Sequence, residues 1–472
     1  MTENTRYRNM SPDITNQVDQ LKLAASNPVS EATLAQWTES VASDAKNRVV
    51  QHSFNKNAFF DVVNTEYVND KRDQYLFNHE VEVVGSNKFA NNQKSSGRCW
   101  IFSACNVLRT RVMNKYNIAD DKFQLSQSYF YFYDKLEKAN MFLENVIATA
   151  DQDVEDLYVK YIFQTPINDG GQWDMVVNLV NKYGAVPVEH YPDNAQSTAS
   201  APLNYLISEK LREYGLKLRE LVQTNGGVDK ARKEMIAEIH TILTLTLGKP
   251  PLPSEEFAWE FIDKDKKYHR HVETPKSFAD NHLDFDVNQY FSLINDPRNS
   301  YNQLFTVDKL NNVVDGKPVE YVNVEIDEIK RVAIAMIKNN EPIFFGCDVG
   351  KFSDRKLGIL DTRGYNYTDV FNTGLNMSKE QRLRTGSSLM THAMVITGVH
   401  LVDDKPVRWK IQNSWGHERG DNGNFTMTDA WFDEYVYQIV TQRQYAGDDL
   451  YKVWQGKEYQ VYPIYDPMGS LA

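Results

Sequence analysis

The spacing of apolar residues divides the chain into a helical first part and a strand-rich last third. Near the N-terminus, Ser11–Pro12 is typical of a helix start. A second helix is expected from Ser30, because apolar residues then recur at spacings of three and four. These residues are Leu34, Trp37 and Val41. We expect residues 1–60 to form an N-terminal helical arm that packs onto a larger body.

A broader helical pattern begins at Cys99, followed by apolar residues that cover one wide face. They are Trp100, Ile101, Ala104, Val107, Leu108 and Val112. Residues 123–165 and 203–247 also have helical patterns, and the proline-rich stretch Lys249–Pro253 interrupts the second one. We expect residues 254–295 to be polar and mostly helical. A helical insertion is therefore predicted over residues 205–300.

The last third of the chain contains short runs rich in Val, Ile and aromatic residues, which predict strands. They are Val319–Val324, Pro342–Val349, Ala393–Val402, Val407–Gln412 and Asn424–Met427. Asp403–Pro406 lies between two of these runs and predicts a hairpin turn. Residues 456–472 contain Pro463, Pro467 and Gly469, and we expect an extended tail without a helix.

Composition narrows the class of protein. The 472 residues include 41% hydrophobic side chains, which is typical of a globular chain with a large core. A formal charge of −12 argues against nucleic acid or an anionic membrane as a partner of the whole molecule. No run approaches the roughly 20 apolar residues of a membrane span, and the N-terminal residues lack a signal-peptide core. With only three cysteines, we expect a cytoplasmic, reducing compartment.

Cys99 is the first candidate for chemistry, within the sequence QKSSGRCWIF at 93–102. A helix N-terminus stabilises a thiolate, and the backbone N–H of its first residue is free to bind an oxyanion. The side-chain amide of Gln93 is a candidate second donor. A buried cysteine without chemistry is the competing interpretation, and we keep it for Cys105 and Cys347.

A thiol nucleophile also requires a base, and His392 opens a predicted strand while Asn413 ends the next one. A hairpin would return Asn413 to the end of the sheet where His392 lies, although the sequence does not fix the register. An Asn side-chain oxygen can accept from the imidazole N–H and orient the ring. Trp415 could shield that bond from water. His269 and His271 have no carboxylate or cysteine at metal spacing, so no metal is expected.

Together these residues resemble the sites of papain-type cysteine peptidases. Over the whole chain, the sequence resembles the bleomycin hydrolase family, whose bacterial members are called aminopeptidase C. The stretches that carry the resemblance are QKSSGRCWIFS at 93–103, NDGGQWDM at 168–175, FFGCDVGKF at 344–352, MTHAM at 390–394, QNSWG at 412–416 and DPMGSLA at 466–472.

Two departures from the secreted papain relatives are informative. Ser96 stands where those relatives carry a cysteine, so the disulfide of that cysteine is lost, in agreement with a reducing compartment. His392 and Asn413 lie much further along the chain than the roughly 130–150 residues usual after the catalytic cysteine, which implies an insertion of about 150 residues.

The resemblance implies an α+β papain-like cysteine proteinase fold. It consists of a helical subdomain over residues 61–204 and a β-barrel-like subdomain over residues 301–455, with the arm, the insertion and a tail at 456–472 that lies in the active-site cleft. The resemblance assigns Cys99 as the nucleophile and His392 as the acid and base. Asn413 would orient His392, and Gln93 would complete the oxyanion hole.

The resemblance also implies how substrate binds. Gly170 and Gly171 would hydrogen-bond the substrate backbone, with Trp415 beside the site. The terminal carboxylate of Ala472 would bind the free amino group of a peptide, which makes the enzyme an aminopeptidase. Family members form homohexamers, partly through the helical insertion, and they use no cofactor.

Two other functions stay open from the residues alone. One is a cysteine endopeptidase whose tail leaves the cleft unrestricted, and cleavage of N-blocked peptides would favour it. The other is a binding protein, for example for nucleic acid, with secondary catalysis. The charge of −12 argues against the second function.

Overall fold

The computed structural model describes residues 29–65, 75–81, 91–119 and 123–470. The helix start predicted at Ser11 and the terminal residue Ala472 lie outside these ranges. The described residues form two compact units. The smaller unit comprises the residues up to Asn64 together with Asn366–Gly374, and the larger unit comprises the remainder.

The helices and strands are numbered in chain order. The helices are α1 Glu31–Ser43, α2 Ala45–Phe54, α3 Phe59–Val63, α4 Cys99–Tyr116, α5 Gln127–Ala148, α6 Leu157–Gln164, α7 Trp173–Tyr183, α8 Ala195–Thr198, α9 Ala201–Gln223, α10 Val228–Leu247, α11 Pro275–His282, α12 Ile326–Lys338, α13 Tyr367–Phe371, α14 Lys379–Arg384, α15 Asp429–Tyr435, α16 Arg443–Ala446 and α17 Asp448–Gly456. The strands are β1 His79–Glu80, β2 Phe257–Ile262, β3 Tyr268–Glu273, β4 Tyr290–Ile294, β5 Gln303–Val307, β6 Tyr321–Asn323, β7 Ile343–Cys347, β8 Ser353–Asp354, β9 Ile359–Leu360, β10 His392–Val402, β11 Lys405–Gln412, β12 Asn424–Thr428, β13 Val436–Gln442 and β14 Tyr459–Tyr462.

In the smaller unit, helix α1 starts where the sequence predicts it. The Ser30 side chain caps the helix by accepting a hydrogen bond from the Thr33 N–H at 3.1 Å. The predicted apolar face is not covered, however. Leu34, Trp37 and Val41 are 50, 55 and 58% exposed. The spacing of these residues therefore predicted the helix, but it did not predict burial.

In the larger unit, one sheet of 12 strands separates two hydrophobic cores. The strand order is β14-β5-β6-β4-β13-β7-β10-β11-β12-β9-β8, and β1 pairs with β10. Successive side chains of a strand point to opposite faces. Along β10, Ala393 and Val395 pack into the core that contains α4, α5 and α7. Met394 and Ile396 pack into the core that contains α12 and α15.

Helix α4 begins at Cys99, as the apolar pattern predicts, and it is buried along most of its length. No side chain caps its N-terminus, where Arg98 is the capping residue. The N–H groups of the first turn therefore have no helical acceptor and no side-chain cap. At the other end, Asn117 adopts a left-handed conformation with φ +50° and closes the helix.

The prediction that residues 254–295 are mostly helical is wrong. Residues 257–273 form the antiparallel hairpin β2–β3, and β4 is buried along its whole length. The aromatic residues Phe257, Trp259 and Phe261 alternate with other residues, which is the period of a strand and not of a helix. Trp259 is buried in the helical core. The part of the predicted insertion before Lys249 is helical and consists of α9 and α10.

The strands predicted for the last third are confirmed, and so is the hairpin turn. Asp403 and Asp404 have φ values of +49° and +58°, as a two-residue turn between β10 and β11 requires. After α17 the chain forms β14, which pairs in parallel with β5, and then a short 3-10 turn at Pro467–Gly469. After Gly456 and through Ser470 the tail contains no α-helix, but the 3-10 turn departs from the prediction of an extended tail without a helix.

Gly184 gives a test of the packing between α7 and α11. It ends α7 with φ +77°, and an added Cβ would lie 2.0 Å from the carbonyl oxygen of Pro275. Gly386 has φ +66°, but an added Cβ there would meet none of the described residues within 4 Å. We expect Gly386→Ala to lower the free energy of unfolding by about 1–2 kcal/mol and Gly184→Ala to lower it by more. Chemical denaturation measures both, and equal effects would contradict the close approach.

Candidate active site

The Cys99 thiol lies at the first turn of α4, against the start of β10. The side chain is buried, and the backbone N–H groups of Ala393, Trp100 and Cys99 itself are near enough to the sulfur to favour the thiolate. Burial raises the pKa of the Cys99 thiol to about 11, and these three N–H groups act in the opposite direction. The sulfur therefore lies beside the residue that follows His392 in the chain.

His392 and Asn413 meet as the hairpin predicts. The Nε2 atom of His392 lies 2.9 Å from the side-chain oxygen of Asn413. That oxygen also accepts from the N–H of Ser414 at 2.7 Å. Because the oxygen only accepts, Nε2 carries the ring proton and Nδ1 keeps a free lone pair. The Trp415 ring covers the imidazole, with its centroid 4.8 Å from that of His392.

Burial disfavours the charged forms of both Cys99 and His392. It lowers the pKa of His392 to about 4, against the effect of the hydrogen bond to Asn413, and the positive charge of Arg355 lowers the pKa further. A buried thiolate or a buried imidazolium is each costly alone. A proton transfer from Cys99 to His392, if it is part of the reaction, would charge both groups together, and the attraction between the opposite charges would offset part of that cost.

Gln93 is fixed by hydrogen bonds at both ends of its side-chain amide. Its oxygen accepts from the hydroxyl of Ser414 at 2.6 Å, and its nitrogen donates to the carbonyl of Ser96 at 2.6 Å. Ser414 adjoins Asn413, so the same loop orients both Gln93 and Asn413. One N–H of the Gln93 amide is left over after the bond to Ser96.

Sequence reasoning missed Asp169, a buried carboxylate that holds the loop before Cys99. It accepts from the N–H of Gly97 at 3.0 Å, and its backbone oxygen accepts from the indole of Trp100 at 2.6 Å. Lys135 pairs with it at 2.5 Å. Burial disfavours its charge, but Lys135 and the hydrogen bonds outweigh burial and hold the pKa of Asp169 below its usual range. The NDGG stretch at 168–171 carried part of the family resemblance, but the sequence did not assign this role to Asp169.

The two glycines of that stretch have different surroundings. A Cβ on Gly171 would lie 2.5 Å from the Trp100 ring, so only glycine allows this approach. The carbonyl of Gly170 accepts from Lys138 at 2.5 Å. Gly170 also lines a cavity of about 370 Å³, whose apolar wall includes Phe142 and Ile162. This cavity lies next to the end of the described tail.

The tail reaches the site from the side of these glycines. The carbonyl of Ser470 accepts from the Gln172 side chain at 3.0 Å, and the Ser470 hydroxyl donates to the carbonyl of Met390 at 2.7 Å. Gln172 directly follows Gly171, and Met390 lies two residues before His392. The 3-10 turn before Ser470 is anchored by an ion pair between Arg298 and Asp466 at 2.8 Å.

One histidine cluster offers ligand types that a metal could use. His271, Glu273 and His282 place ligand atoms within 4.8 Å of one another. However, His282 already bonds Glu273 through Nε2 at 2.7 Å and the Tyr116 hydroxyl through Nδ1 at 2.6 Å. Those hydrogen bonds account for both nitrogens of His282 without an ion. The cluster shows how the fold brings a carboxylate to His271, which its spacing in the sequence did not indicate.

The fold and this site define a cysteine-type peptidase, a hydrolase of peptide bonds. The chain belongs to the Peptidase C1-like family, whose model matches residues 28–469. It is 42% identical to an aminopeptidase C of Listeria innocua over 402 residues, which are 84% of this chain and 89% of that protein. It is also 42% identical to a human bleomycin hydrolase over 416 residues, or 85% of this chain and 90% of that protein.

A solved structure agrees with the mixed α/β fold. The crystal structure of PepW from Lactobacillus rhamnosis HN001 superposes with a TM-score of 0.90 at 40% identity. The match covers 94% of this chain and 100% of that one. The expected family is therefore confirmed over nearly the whole chain.

The buried pair predicts how Cys99 reacts with iodoacetamide. If His392 takes the thiol proton in the unaltered protein, alkylation should proceed near neutral pH. In His392→Ala the thiol must lose its proton to solvent, which burial opposes. We expect the alkylation rate at neutral pH to fall on the order of 100-fold and to rise steeply at alkaline pH.

Intact-mass spectrometry measures this rate. Cys99→Ser is the control, because any label that it takes must lie on one of the remaining cysteines, Cys105 and Cys347. An unchanged rate and pH profile in His392→Ala would contradict the pairing of Cys99 with His392.

Proposed function

We propose that the protein is an aminopeptidase that removes N-terminal residues from peptides through Cys99, His392 and Asn413. The observation that carries this proposal is the position of the tail, which approaches the site through Ser470. A tail on that side leaves room for little substrate before the cleaved bond. Peptides with a free N-terminus are the substrates that such a cleft accepts.

The first half of the reaction transfers the acyl group to the enzyme. His392 takes the proton of Cys99, and the thiolate attacks the carbonyl carbon of the first peptide bond. The carbonyl π electrons move to the oxygen, where the Cys99 N–H and the remaining N–H of Gln93 stabilise the charge. When the oxyanion collapses, the C–N bond breaks and His392 gives its proton to the leaving amine. The product is a thioester.

The second half returns the enzyme to its starting state. His392 takes a proton from water as the water oxygen attacks the thioester carbon. The C–S bond then breaks, the amino acid leaves, and the proton on His392 neutralises the thiolate. Asn413 keeps the ring in the tautomer whose Nδ1 exchanges protons in both halves. Trp415 excludes water from the bond between His392 and Asn413.

The tail supplies the specificity in this proposal. Its last described residue, Ser470, is held on two sides by Gln172 and Met390. The terminal carboxylate of Ala472, two residues further on, would attract a substrate ammonium group in a partly desolvated cleft. Gly170 and Gly171, next to Gln172, would bind the substrate backbone. The rival function, an endopeptidase, requires that the tail leave this side of the cleft open.

Removal of the tail tests the proposal. The intact protein should cleave leucine 7-amido-4-methylcoumarin and leave its N-acetyl form uncleaved, because the blocked group lacks the ammonium and is too long. A variant without Gly469–Ala472 should cleave the acetylated substrate as well. Fluorescence under reducing conditions measures both activities, with Cys99→Ser as the blank. Equal cleavage of acetylated substrate by both proteins would favour the endopeptidase.

We also propose a homohexamer, built partly through the helical insertion. Helices α9 and α10 expose several large apolar side chains, which is typical of a surface that binds a partner. They are Tyr205, Leu216 and Leu245, with exposed fractions of 71, 56 and 81%.

Negative charge introduced on the exposed apolar surface of α9 and α10 should weaken the hexamer. We expect Leu245→Glu combined with Tyr205→Glu to convert a species of six times the 54.5 kDa chain mass into smaller species, because burying a carboxylate is costly. Light scattering after gel filtration measures the mass. Val402→Glu, at an exposed position outside the insertion, is the matched control. A double variant that keeps the hexamer mass would exclude this surface from the interface.

The compartment proposed is the reducing cytosol. The three cysteines are all free in the structure, and none forms a disulfide. Among the described residues, no helix combines the length and the apolar character that crossing a membrane requires.

A further inference from the structure

Arg355 lies in a tightly fixed turn between β8 and β9. The Asp354 carboxylate accepts from the N–H groups of Lys356 and Leu357 at 3.0 and 2.8 Å. The Gly358 N–H donates to the Asp354 carbonyl at 2.8 Å, and the Gly420 N–H donates to the Lys356 carbonyl at 3.1 Å. The backbone that carries Arg355 is therefore held in place from both sides.

The guanidinium of Arg355 stacks on the ring that covers the active-site histidine. Its central carbon lies 5.2 Å from the centroid of the Trp415 ring. The same ring lies 4.8 Å from the ring of His392. The positive charge is close enough to lower the pKa of His392. A single indole thus connects the cation with the residue that protonates the leaving amine.

Within the part of the chain that the structure describes, the charge of Arg355 has no acidic partner. Its side chain is exposed, and among the described residues no carboxylate forms an ion pair or hydrogen bond with it. The neighbouring carboxylate of Asp354 is occupied by the turn. In a chain with a formal charge of −12, a cation beside the active site without an acidic partner favours a ligand with a negative charge.

The tail and Arg355 contact different residues around the site, and we take them to mark its two flanks. The tail contacts Gln172 and Met390, on the side of the glycines. Arg355 contacts Trp415, which follows the loop of Asn413 and Ser414. The acyl part of the substrate faces the tail in the proposed function. The leaving part of the peptide therefore extends toward Trp415 and Arg355.

We propose that Arg355 binds the C-terminal carboxylate of short peptides, so that dipeptides with a free carboxylate are preferred substrates. This inference rests on the proposed function, because it assigns the leaving side of the same cleft. In a dipeptide, the carboxylate belongs to the residue that leaves, only one residue beyond the cleaved bond. A planar guanidinium can donate two parallel hydrogen bonds to such a group.

A packing role for Arg355 predicts a different result. If the side chain only shields Trp415 and His392, its loss should slow every substrate by a similar factor through kcat. If it binds the carboxylate, its loss should raise KM for free-acid dipeptides and leave their amides nearly unchanged. The ratio of the two kcat/KM values therefore separates the roles.

The experiment compares Leu-Phe with Leu-Phe-amide, using the full-length enzyme and chromatographic detection of the released product. We expect the acid-to-amide ratio of kcat/KM to fall about tenfold in Arg355→Met, which keeps an apolar stem over Trp415. Arg355→Lys should keep part of the preference, because it keeps the charge and loses the paired donors. Arg384→Met is the matched control, since Arg384 is an exposed arginine that already pairs with Glu380.

Two further measurements complete the test. Leu-Phe-Gly-Gly-Gly and its amide should show no dependence on Arg355, because their carboxylate lies several residues beyond the cleaved bond. Added salt should reduce the preference for Leu-Phe over its amide. An acid-to-amide ratio that is the same in Arg355→Met and in the unaltered enzyme would overturn the proposal. Failure of the unaltered enzyme to cleave either dipeptide would instead overturn the aminopeptidase function on which the proposal rests.

Discussion

The Asp169 carboxylate is the contact on which the geometry of the site depends. It is buried with Lys135 and binds the N–H of Gly97, while its backbone binds the indole of Trp100. Those two residues bracket the catalytic candidate Cys99 closely, one before it and one after it. A buried charge with this many partners is costly to move, because each displaced partner would leave a polar group unpaired. The position of the thiol is therefore fixed by a group that takes no part in the proposed chemistry.

The sheet provides the complementary half of the site. Strand β10 pairs with β7 from His392 onward and with β11 from Val395 onward, so hydrogen bonds on both sides fix the strand that begins at His392. The turn at Asp403–Asp404 then determines that Asn413 returns to the same end. Ser414 also binds Gln93, so one short loop aligns Asn413 with Gln93, the proposed oxyanion donor. Rigid backbone elements hold each group that must act in the proposed reaction.

The parts that the sequence predicted correctly are those with local causes. The start of α4 at Cys99 follows from an apolar pattern, and the meeting of His392 with Asn413 follows from a hairpin. Asp169 could not be assigned, because its partners come from distant segments and no pattern of spacing marks them. The hairpin β2–β3 was missed because the polar residues of the surrounding stretch, 254–295, concealed the two-residue period of Phe257, Trp259 and Phe261. Leu34 shows the opposite case. The apolar spacing predicted its helix correctly, but it did not predict that the side chain would be exposed.

The two flanks of the site together define the length of substrate that the proposed chemistry can use. Ser470 hydrogen-bonds Gln172, which follows Gly171, and Met390, two residues before His392, so in the proposed function the chain itself would limit the acyl side. On the other flank, Arg355 is a fixed cation without an acidic partner among the described residues. In the proposed function, the terminal carboxylate beyond Ser470 and the Arg355 guanidinium would match the two opposite charges of a short free peptide. This charge pattern favours the last products of protein breakdown over intact chains, because only short peptides bring both termini to the site at once.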